Sequence, residues 1–238
     1  MGMMALAFIL SVIIGKQTIV DIFWGLGYVL IAWVTLIKTG LYAPQHILIT
    51  SLVTLWGLRL AGYLGYRSWK KGEDARYKEL SKSWGSRFYV ESFFKVFMMQ
   101  GILLWLVSLS IIAVNSDTQT HSWSTYIMPT LLWLVGFTFE IVGDWQLHTF
   151  LSQPSNAGTT IKTGLWKYTR HPNYFGELLM WWSLWLMAPF GVALLSPLTI
   201  TAILTLMIPV TESQVANNSD FEAYKKRTSA LIPWLPRD

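Results

Sequence analysis

The stretch from Tyr126 to Phe150 reads YIMPTLLWLVGFTFEIVGDWQLHTF, and it decides the class of fold. As a helix it is long enough to cross the hydrocarbon core of a bilayer, and its apolar residues form one block rather than alternating with polar ones. Two acids and one histidine interrupt it, namely Glu140, Asp144 and His148. Their spacing of four residues puts them on one helix face. The stretch predicts a membrane-spanning helix that carries a polar stripe.

The composition of the whole chain agrees with a membrane protein. Of its 238 residues 53% are hydrophobic and only 13% are charged, whereas soluble domains carry about 25% charged residues. The absence of cysteine excludes disulfides, thiolate catalysis and cysteine-ligated metals. The net charge of +5 does not indicate nucleic-acid binding, because the basic residues lie in loops between apolar blocks. We expect one membrane-embedded domain over residues 1–238.

Six further apolar blocks flank this one, so the sequence predicts an all-α polytopic membrane protein with about seven transmembrane helices. A charged stretch, Arg67 to Ser92, ends the hydrophobic pattern abruptly and is expected to be a loop. Pro197 and Pro209 bracket the last block, which is the shortest. The seven expected spans are Met1–Ile14, Ile19–Ile37, His46–Tyr66, Phe93–Val114, Tyr126–Phe150, Tyr174–Phe190 and Pro197–Val210.

Basic residues fall almost entirely on one side of these seven spans. Of the 18 basic residues, 15 lie in the segments on that side, while the opposite loops hold only Lys38. By the positive-inside rule the crowded side is cytoplasmic, so we expect the N-terminus outside and the C-terminus in the cytoplasm. The 15 residues are Lys16, Arg67, Lys70, Lys71, Arg76, Lys78, Lys82, Arg87, Lys162, Lys167, Arg170, Lys225, Lys226, Arg227 and Arg237.

A second informative stretch, Thr163 to Glu177, reads TGLWKYTRHPNYFGE. Pro172 is well placed at the first position of a helix, so the sixth span is expected to begin there. The exposed N–H groups of that helix start, with Arg170 and His171 beside them, would form an anion site of the kind that binds phosphate. Asn173 and Glu177 follow one turn apart on the same face.

Ionisable residues inside predicted spans allow more than one interpretation. The stripe of Glu140, Asp144 and His148 could line a cofactor or substrate cavity, form a structural network with Arg59, or bind a metal. Gly136 and Gly143 lie near that face and would let another helix or a ligand approach closely.

Two further ionisable residues each allow a functional and a structural interpretation. Arg59 could bind a ligand or extend its side chain to the membrane surface. Asp21, near the start of the second span, could be functional or could only offset the helix dipole.

Five short blocks resemble the steroid 5α-reductase-like superfamily, and most closely its bacterial branch. They are Arg170-His171-Pro172-Asn173-Tyr174-Phe175-Gly176-Glu177, Gly72-Glu73-Asp74-Ala75-Arg76-Tyr77, Asp144-Trp145-Gln146-Leu147, Trp56-Gly57-Leu58-Arg59-Leu60, and Phe221-Glu222-Ala223-Tyr224-Lys225-Lys226 with Ala230-Leu231-Ile232-Pro233. The resemblance covers nearly the whole chain from Asp21 onward.

The resemblance implies a seven-helix fold that holds NADPH in a cytoplasm-facing cavity. It implies an oxidoreductase of CH–CH groups, which reduces a double bond conjugated to a ketone in a lipophilic, steroid- or isoprenoid-like substrate. The bacterial branch implies the inner membrane and a role in lipid metabolism. Residue by residue, the family's cofactor-site positions match Asn173, Glu177, Asp144 and Arg59. The resemblance implies no metal.

Six more residues are candidates for the cofactor site. Four are chosen on charge and position, and two near the C-terminus are expected to close over the site. They are Arg76, Tyr168, Arg170 and His171, followed by Tyr224 and Arg227.

The chain also departs from the steroid enzymes, which polarise the substrate ketone with a Gln-Glu pair and a tyrosine. Trp56 occupies the tyrosine position, and no Gln-Glu pair precedes it. Asp21 lies at about the right distance along the sequence to replace the glutamate, so Asp21 is the predicted catalytic residue. The basic residues that the steroid enzymes carry before their C-terminal block are replaced by Glu212-Ser213-Gln214.

Two alternatives remain open from the sequence. The Arg-His-Pro-x-Tyr-x-Gly core also resembles membrane methyltransferases of the isoprenylcysteine carboxyl type, which bind S-adenosylmethionine. Those enzymes usually carry an acidic pair before a tyrosine-rich C-terminus, and here Glu212 has no acidic neighbour. A non-catalytic protein that binds membrane lipids is the second alternative. The cofactors differ chemically, because NADPH needs cations for its phosphates whereas a sulfonium prefers acids or aromatic rings.

Overall fold

The computed structural model of the protein describes residues 1–71, 75–119, 121–187, 191–215 and 218–237, without the side chains of residues 70, 71, 75, 76 and 81. Within these residues the regular structure is helical, apart from one parallel β-bridge between Thr169 and Ser229. The predicted all-α class is confirmed. The chain divides into two compact units, Met1–Thr120 with Phe190–Leu195 and His121–Pro189 with Ser196–Asp238. The single domain expected from the sequence stays a prediction.

The α-helices of the described residues are numbered α1 to α11 in chain order. The first unit holds α1 Gly2–Ile14, α2 Ile19–Thr39, α3 Pro44–Lys71, α4 Ala75–Trp84, α5 Phe88–Ser92, a π-helical turn Phe93–Met98, α6 Met99–Val107 and α7 Leu109–Ser116. The second unit holds α8 Ser124–Leu151, α9 Pro172–Leu186, nearly all of α10 Leu195–Ser213, and α11 Ser219–Arg227.

Five helical stretches in the described residues are long and apolar enough to cross a membrane, so the protein is a polytopic membrane protein. They are Ile19–Thr39, Pro44–Trp69, Tyr77–Val107, Ser124–Leu151 and Gly191–Ser213. Two other expected spans form shorter helices, with 13 residues in α1 and 15 in α9. At 1.5 Å per residue, α9 is about 22 Å long, less than a hydrocarbon core of about 30 Å. The count of seven spans and the orientation therefore stay predictions.

Two expectations about the spans are wrong. The charged stretch from Arg67 to Ser92 is largely helical, because α3 continues to Lys71 and α4 follows it. Its Arg, Lys, Glu and Leu residues favour helix, so the charges end the hydrophobic pattern without ending helical structure. The last span is longer than expected, because α10 continues through Pro209 to Ser213. Membrane helices tolerate an internal proline where neighbouring groups bind the freed carbonyl.

Glycines set the distance between the paired helices of the first unit. A Cβ on Gly25 of α2 would lie 2.6 Å from the carbonyl oxygen of Gly57 in α3, and a Cβ on Gly57 would lie 2.7 Å from Gly25 O. Asn115 of α7 joins the same two helices, because its amide donates to Ala32 O at 3.0 Å and to Thr50 Oγ1 at 3.3 Å. The two backbones therefore lie in direct contact, and any larger side chain would separate them.

In the second unit, facing glycines bring the backbones of α8 and α9 into contact in the same way. A Cβ on Gly176 would lie 2.4 Å from Gly136 O, and a Cβ on Gly136 would lie 2.6 Å from Gly176 O. About two turns further along α8, a Cβ on Gly143 would lie 3.2 Å from the backbone nitrogen of Asn173. The close approach predicted from Gly136 and Gly143 is confirmed. It brings the polar stripe of α8 against the first turn of α9.

Candidate functional site

Asn173 and Asp144 meet where α9 begins. The Asn173 side-chain amide donates to Asp144 Oδ1 at 3.2 Å, and Asp144 is only 8% exposed. The other polar atom of the same side chain, Asn173 Oδ1, is buried and accepts no hydrogen bond from the residues that the structure describes. A buried acceptor without a donor is costly, since it has lost its water without a replacement. The pair therefore offers an acceptor and a carboxylate to a ligand that carries N–H or O–H groups.

The other ionisable residues of α8 and of the first turns of α9 differ in how far they are exposed. Glu140 is 4% exposed on α8, whereas His148 is exposed at the end of the same helix, and Glu177 is partly exposed one turn after Asn173. In the described part of the chain, no three His, Asp or Glu side chains are grouped so as to hold a metal ion. The acids are thus concentrated on the middle turns of α8 and the first turns of α9.

The loop before α9 is fixed to α8. Gly164 has a φ of +62°, and a Cβ there would lie 2.2 Å from the Gln146 side chain, so only glycine fits. Gln146 Oε1 accepts from the backbone N–H of Leu165 at 3.0 Å. The indole N–H of Trp166 donates to Gly143 O at 3.1 Å. These bonds hold the loop against the turn of α8 that carries Asp144.

The Arg170 side chain donates three hydrogen bonds to other groups of the protein. Its Nε donates to Glu212 Oε1 at 2.8 Å, and its Nη1 donates to the carbonyl oxygens of Lys225 at 3.1 Å and Thr228 at 2.6 Å. Its backbone N–H donates to Ser229 O at 2.9 Å. Arg170 thereby joins the start of α9 to the end of α10 and to the chain that follows α11.

Glu212 is the functional candidate that the sequence did not identify. Its side chain is 7% exposed, and it binds Arg170, His171 Nε2 at 3.2 Å and Lys225 Nζ at 3.3 Å. From the sequence alone, Glu212 stands out only as a difference from the steroid enzymes and the methyltransferases. The signal was its position, because an acid in the last turn of an otherwise apolar helix needs a cationic partner.

His171 stands between this carboxylate and the start of α9. Burial lowers the pKa of His171 below its ordinary value of 6.5, and the hydrogen bond and charge of Glu212 oppose that shift without cancelling it. The imidazole ring stacks on Tyr174 with centroids 5.0 Å apart and an angle of 16°. His171 is therefore mainly neutral at neutral pH. Its Nε2–H then donates to the Glu212 carboxylate.

The predicted residues near the C-terminus lie around the same loop. The Tyr224 hydroxyl donates to the carbonyl oxygen of Trp166, and burial raises the pKa of that hydroxyl. Tyr168 is 38% exposed. Arg227 Nε donates to Arg237 O at 3.0 Å. Tyr224 therefore holds the loop before α9 in place through its hydrogen bond to Trp166 O.

The remaining predicted residues belong to the first unit. The Tyr77 hydroxyl donates to Asp21 Oδ1 at 3.3 Å, and Tyr77 is 6% exposed. The guanidinium of Arg59 lies 5.4 Å from the ring centroid of Tyr63. The side chain of Arg76 lies outside the described part of the structure.

A cavity of about 480 Å³ opens in the first unit, beside the Asp21–Tyr77 pair. Tyr77 forms part of its wall. Aromatic rings and two cations also line it, so it could hold a molecule with an apolar body and a polar end. These lining residues include Phe88, Tyr89, Lys78 and Lys82.

Comparison with known proteins places the chain in a family. The profile of the family described as protein of unknown function (DUF1295) matches residues 7–228. The chain is also 34% identical over 126 residues to 3-oxo-5-alpha-steroid 4-dehydrogenase 1 of Mus musculus. That match spans 50% of this chain and 45% of the mouse protein. No solved structure matches the chain. The chain therefore belongs to the DUF1295 family, and its resemblance to the steroid 5α-reductase-like superfamily is confirmed.

Proposed function

We propose that this protein is an NADPH-dependent membrane reductase that saturates a carbon–carbon double bond conjugated to a ketone in a lipophilic, steroid- or isoprenoid-like substrate. One observation supports it most strongly, namely the buried Asn173 Oδ1 without a partner beside Asp144. The similarity to the mouse steroid dehydrogenase supports the class of reaction and the lipophilic substrate.

The residues at the start of α9 fit the uncharged parts of NADPH. A carboxamide N–H or a ribose hydroxyl would donate to Asn173 Oδ1, and Asp144 and Glu177 would accept further hydrogen bonds. Carboxylates repel phosphate, so these three residues would lie at the nicotinamide end. Bound NADPH would supply a hydride to the carbon β to the ketone.

The phosphates would lie toward the N-terminus of α9, where backbone N–H groups favour an anion. We propose that Arg170 acts there mainly as a positioning residue, because three of its hydrogen bonds bind Glu212 and two backbone carbonyls. Its positive charge still adds to the potential at the helix start. In the same way His171 and Tyr224 would hold the loop in place, while Arg59, Arg76, Tyr168 and Arg227 remain candidates for direct contact.

Asp21 and Tyr77 would polarise the ketone. Hydride addition at the β carbon would move the π electrons onto the carbonyl oxygen to give an enolate, and a hydrogen-bond donor aimed at that oxygen would lower the barrier. A proton from water would then add to the α carbon and complete the reduction. Tyr77 can donate to the ketone only while Asp21 is protonated, because an ionised Asp21 accepts the Tyr77 proton. A protonated Asp21 would donate to the Tyr77 oxygen and leave the Tyr77 O–H for the substrate. Tyr77 would thus polarise the ketone in place of the tyrosine of the steroid enzymes, whose position Trp56 occupies in this chain.

We propose seven spans within a single domain, with the N-terminus outside, the C-terminus in the cytoplasm and the site facing the cytoplasm of a bacterial inner membrane. The concentration of basic residues on one side supports this orientation. Asp21 and Tyr77 begin the candidate spans Ile19–Thr39 and Tyr77–Val107. Both therefore belong at the ends of spans that the charge pattern puts at the cytoplasmic side.

Cofactor binding tests the proposal against its main alternative. The protein purified in detergent is titrated with NADPH and, separately, with S-adenosylmethionine. We expect saturable NADPH binding and consumption of NADPH when a 3-oxo-4-ene steroid or an isoprenoid enone is added. Binding of S-adenosylmethionine but not NADPH would instead favour a methyltransferase. Binding of neither, with retention of phospholipid, would favour the non-catalytic lipid-binding protein.

A further inference from the structure

The C-terminal segment, Thr228–Arg237, has a fixed backbone although it is extended. Ser229 O accepts from the backbone N–H of Arg170 at 2.9 Å, and Trp234 N–H donates to Tyr168 O at 2.9 Å. Between them, Leu231 O accepts from Thr169 Oγ1 at 2.8 Å. Bonds at both ends and in the middle hold this segment along residues 168–170. It is an ordered part of the second unit.

Its large apolar side chains nevertheless point away from the protein. Ile232 is 65% exposed, Trp234 is 71% exposed and Leu235 is 74% exposed. This exposure matches that of Leu206, which is also 71% exposed but lies inside the candidate span Gly191–Ser213, where lipid would surround it. Three neighbouring apolar side chains on a fixed backbone indicate an apolar environment rather than water.

The segment lies at the level where a span ends. Glu212 is the second-last residue of the candidate span Gly191–Ser213. Arg170 joins that residue to the segment, because its Nε donates to Glu212 at 2.8 Å while its Nη1 donates to Thr228 O at 2.6 Å. The end of a span marks the boundary between hydrocarbon and headgroups. The C-terminal segment therefore lies beside the boundary that is expected for this candidate span.

The cations at the ends of the segment indicate which kind of lipid it would bind. Lys226, Arg227 and Arg237 are exposed at the two ends of the segment. Tryptophan prefers the headgroup level of a bilayer, and cations near that level attract acidic phospholipids. We propose that the C-terminal segment is an interfacial anchor, in which Ile232, Trp234 and Leu235 insert at the membrane boundary and the cations bind acidic phospholipid headgroups. The anchor would fix the loop before α9 to the membrane surface.

Spin labels test this placement cleanly, because the chain has no cysteine of its own. Single cysteines are introduced as Trp234→Cys, as Leu206→Cys inside the span, and as Ser155→Cys in an exposed polar loop. Each protein carries a nitroxide and is reconstituted into vesicles of phosphatidylethanolamine with phosphatidylglycerol, or of phosphatidylcholine alone. The measurement is the ratio of nitroxide collisions with oxygen, which partitions into the bilayer, to collisions with a water-soluble nickel chelate.

We expect the ratio at residue 234 to lie between those at residues 206 and 155, and to fall in phosphatidylcholine. The fall with lipid charge should vanish in the additional variant Lys226→Gln/Arg237→Gln. A ratio at residue 234 equal to that at residue 155 in both kinds of vesicle would overturn the anchor. An intermediate ratio at residue 234 that is the same in both kinds of vesicle would overturn the role given to the cations. Leu235→Cys repeats the test if Trp234→Cys does not fold. No outcome depends on the reductase proposal.

Discussion

The side-chain amide of Asn173 donates to Asp144 Oδ1 at 3.2 Å, while Asn173 Oδ1 stays buried without a donor. The contact fixes which way the amide points, because a flipped amide would put two oxygens together. The unfilled acceptor is thus aimed away from Asp144. A ligand that donates to it would remove the cost of burying it, which is about 1–3 kcal/mol. This gain would contribute to cofactor affinity once the groups that cover Asn173 Oδ1 move aside for the ligand.

Asn173→Asp should weaken NADPH binding. The substitution keeps the shape of the side chain but replaces the amide donor by a second carboxylate next to Asp144, and the two would repel each other. We expect the Kd of NADPH to rise about tenfold to a hundredfold, because the repulsion turns the acceptor oxygen away from the ligand and the hydrogen bond to it is lost. Asn156→Asp is the matched control, because the Asn156 amide donates to Phe150 O and Gln153 Oε1 rather than to a carboxylate. Equal NADPH affinity in both variants would contradict the assignment.

Glu212→Gln should destabilise the protein strongly. It leaves the Arg170 guanidinium, whose side chain is 10% exposed, without its anion. Breaking a buried ion pair from one side costs about 3–5 kcal/mol, so the midpoint of thermal unfolding in detergent should drop by several degrees. The double variant Arg170→Gln/Glu212→Gln should regain part of the loss, because no buried charge is left unpaired. Asp220→Asn, in the exposed pair with Lys162, should change much less.

Local patterns predicted the part of the site that lies in one stretch or on one helix face. Proline at the first position of a helix placed the start of α9 at Pro172, as the structure confirms. The two glycines on the polar face of α8 indicated a close helix contact, and that contact brings Asn173 to Asp144. Both features depend only on backbone geometry within a few residues, which sequence spacing reports directly.

Pairings between distant segments were not predictable in the same way. Arg170 was expected to bind phosphate, and nothing within its own stretch indicated that it binds Glu212 and the carbonyls of Lys225 and Thr228. Such partners are set by how helices pack, which no local spacing encodes. The loop predicted for the charged stretch from Arg67 to Ser92 is wrong for a different reason. Hydropathy reports where a helix leaves the membrane, whereas helix propensity decides where it ends.

Acidification should destabilise the protein through His171. Burial lowers the pKa of His171 from 6.5, so the unfolded chain takes up its proton at a higher pH than the native protein does. The free energy of unfolding therefore falls as the pH drops through about 6.5, until the native His171 is protonated as well.

His171→Gln isolates this effect, because the glutamine amide can donate to Glu212 but does not titrate. From about pH 7.5 to about pH 5.5, the thermal midpoint of the wild-type protein should fall more than that of the variant. The other histidines are common to both proteins, so their effects cancel in the comparison. If the thermal midpoints of both proteins fall by the same amount, protonation of His171 does not reduce the free energy of unfolding.

The orientation can be tested with two exposed serines. Ser86 follows α4 in the basic region expected in the cytoplasm, and Ser122 precedes α8 on the side expected outside. Single variants Ser86→Cys and Ser122→Cys are treated in intact cells with a maleimide that does not cross membranes. Ser122→Cys should react at once, whereas Ser86→Cys should react only after the cells are permeabilised. The reverse pattern would invert the topology and move the site to the outer face.

The last prediction concerns Tyr77, whose hydroxyl donates to Asp21 Oδ1 at 3.3 Å and whose ring lines the cavity of about 480 Å³. If Tyr77 donates to the developing oxyanion, Tyr77→Phe should lower kcat by about 10²–10³-fold, the usual effect of removing one such donor. Asp21→Ala should abolish turnover, and Asp21→Asn should retain some, because asparagine keeps an N–H donor toward the Tyr77 oxygen. NADPH affinity should barely change in all three variants, since none of the three substitutions alters the groups at the start of α9.

Tyr89→Phe provides the matched control for this prediction, because Tyr89 lines the same cavity and is 54% exposed. Turnover is followed as NADPH consumption with a 3-oxo-4-ene steroid. If Tyr77→Phe matches Tyr89→Phe in kcat, then Tyr77 only holds Asp21 in place and the donor to the ketone lies elsewhere.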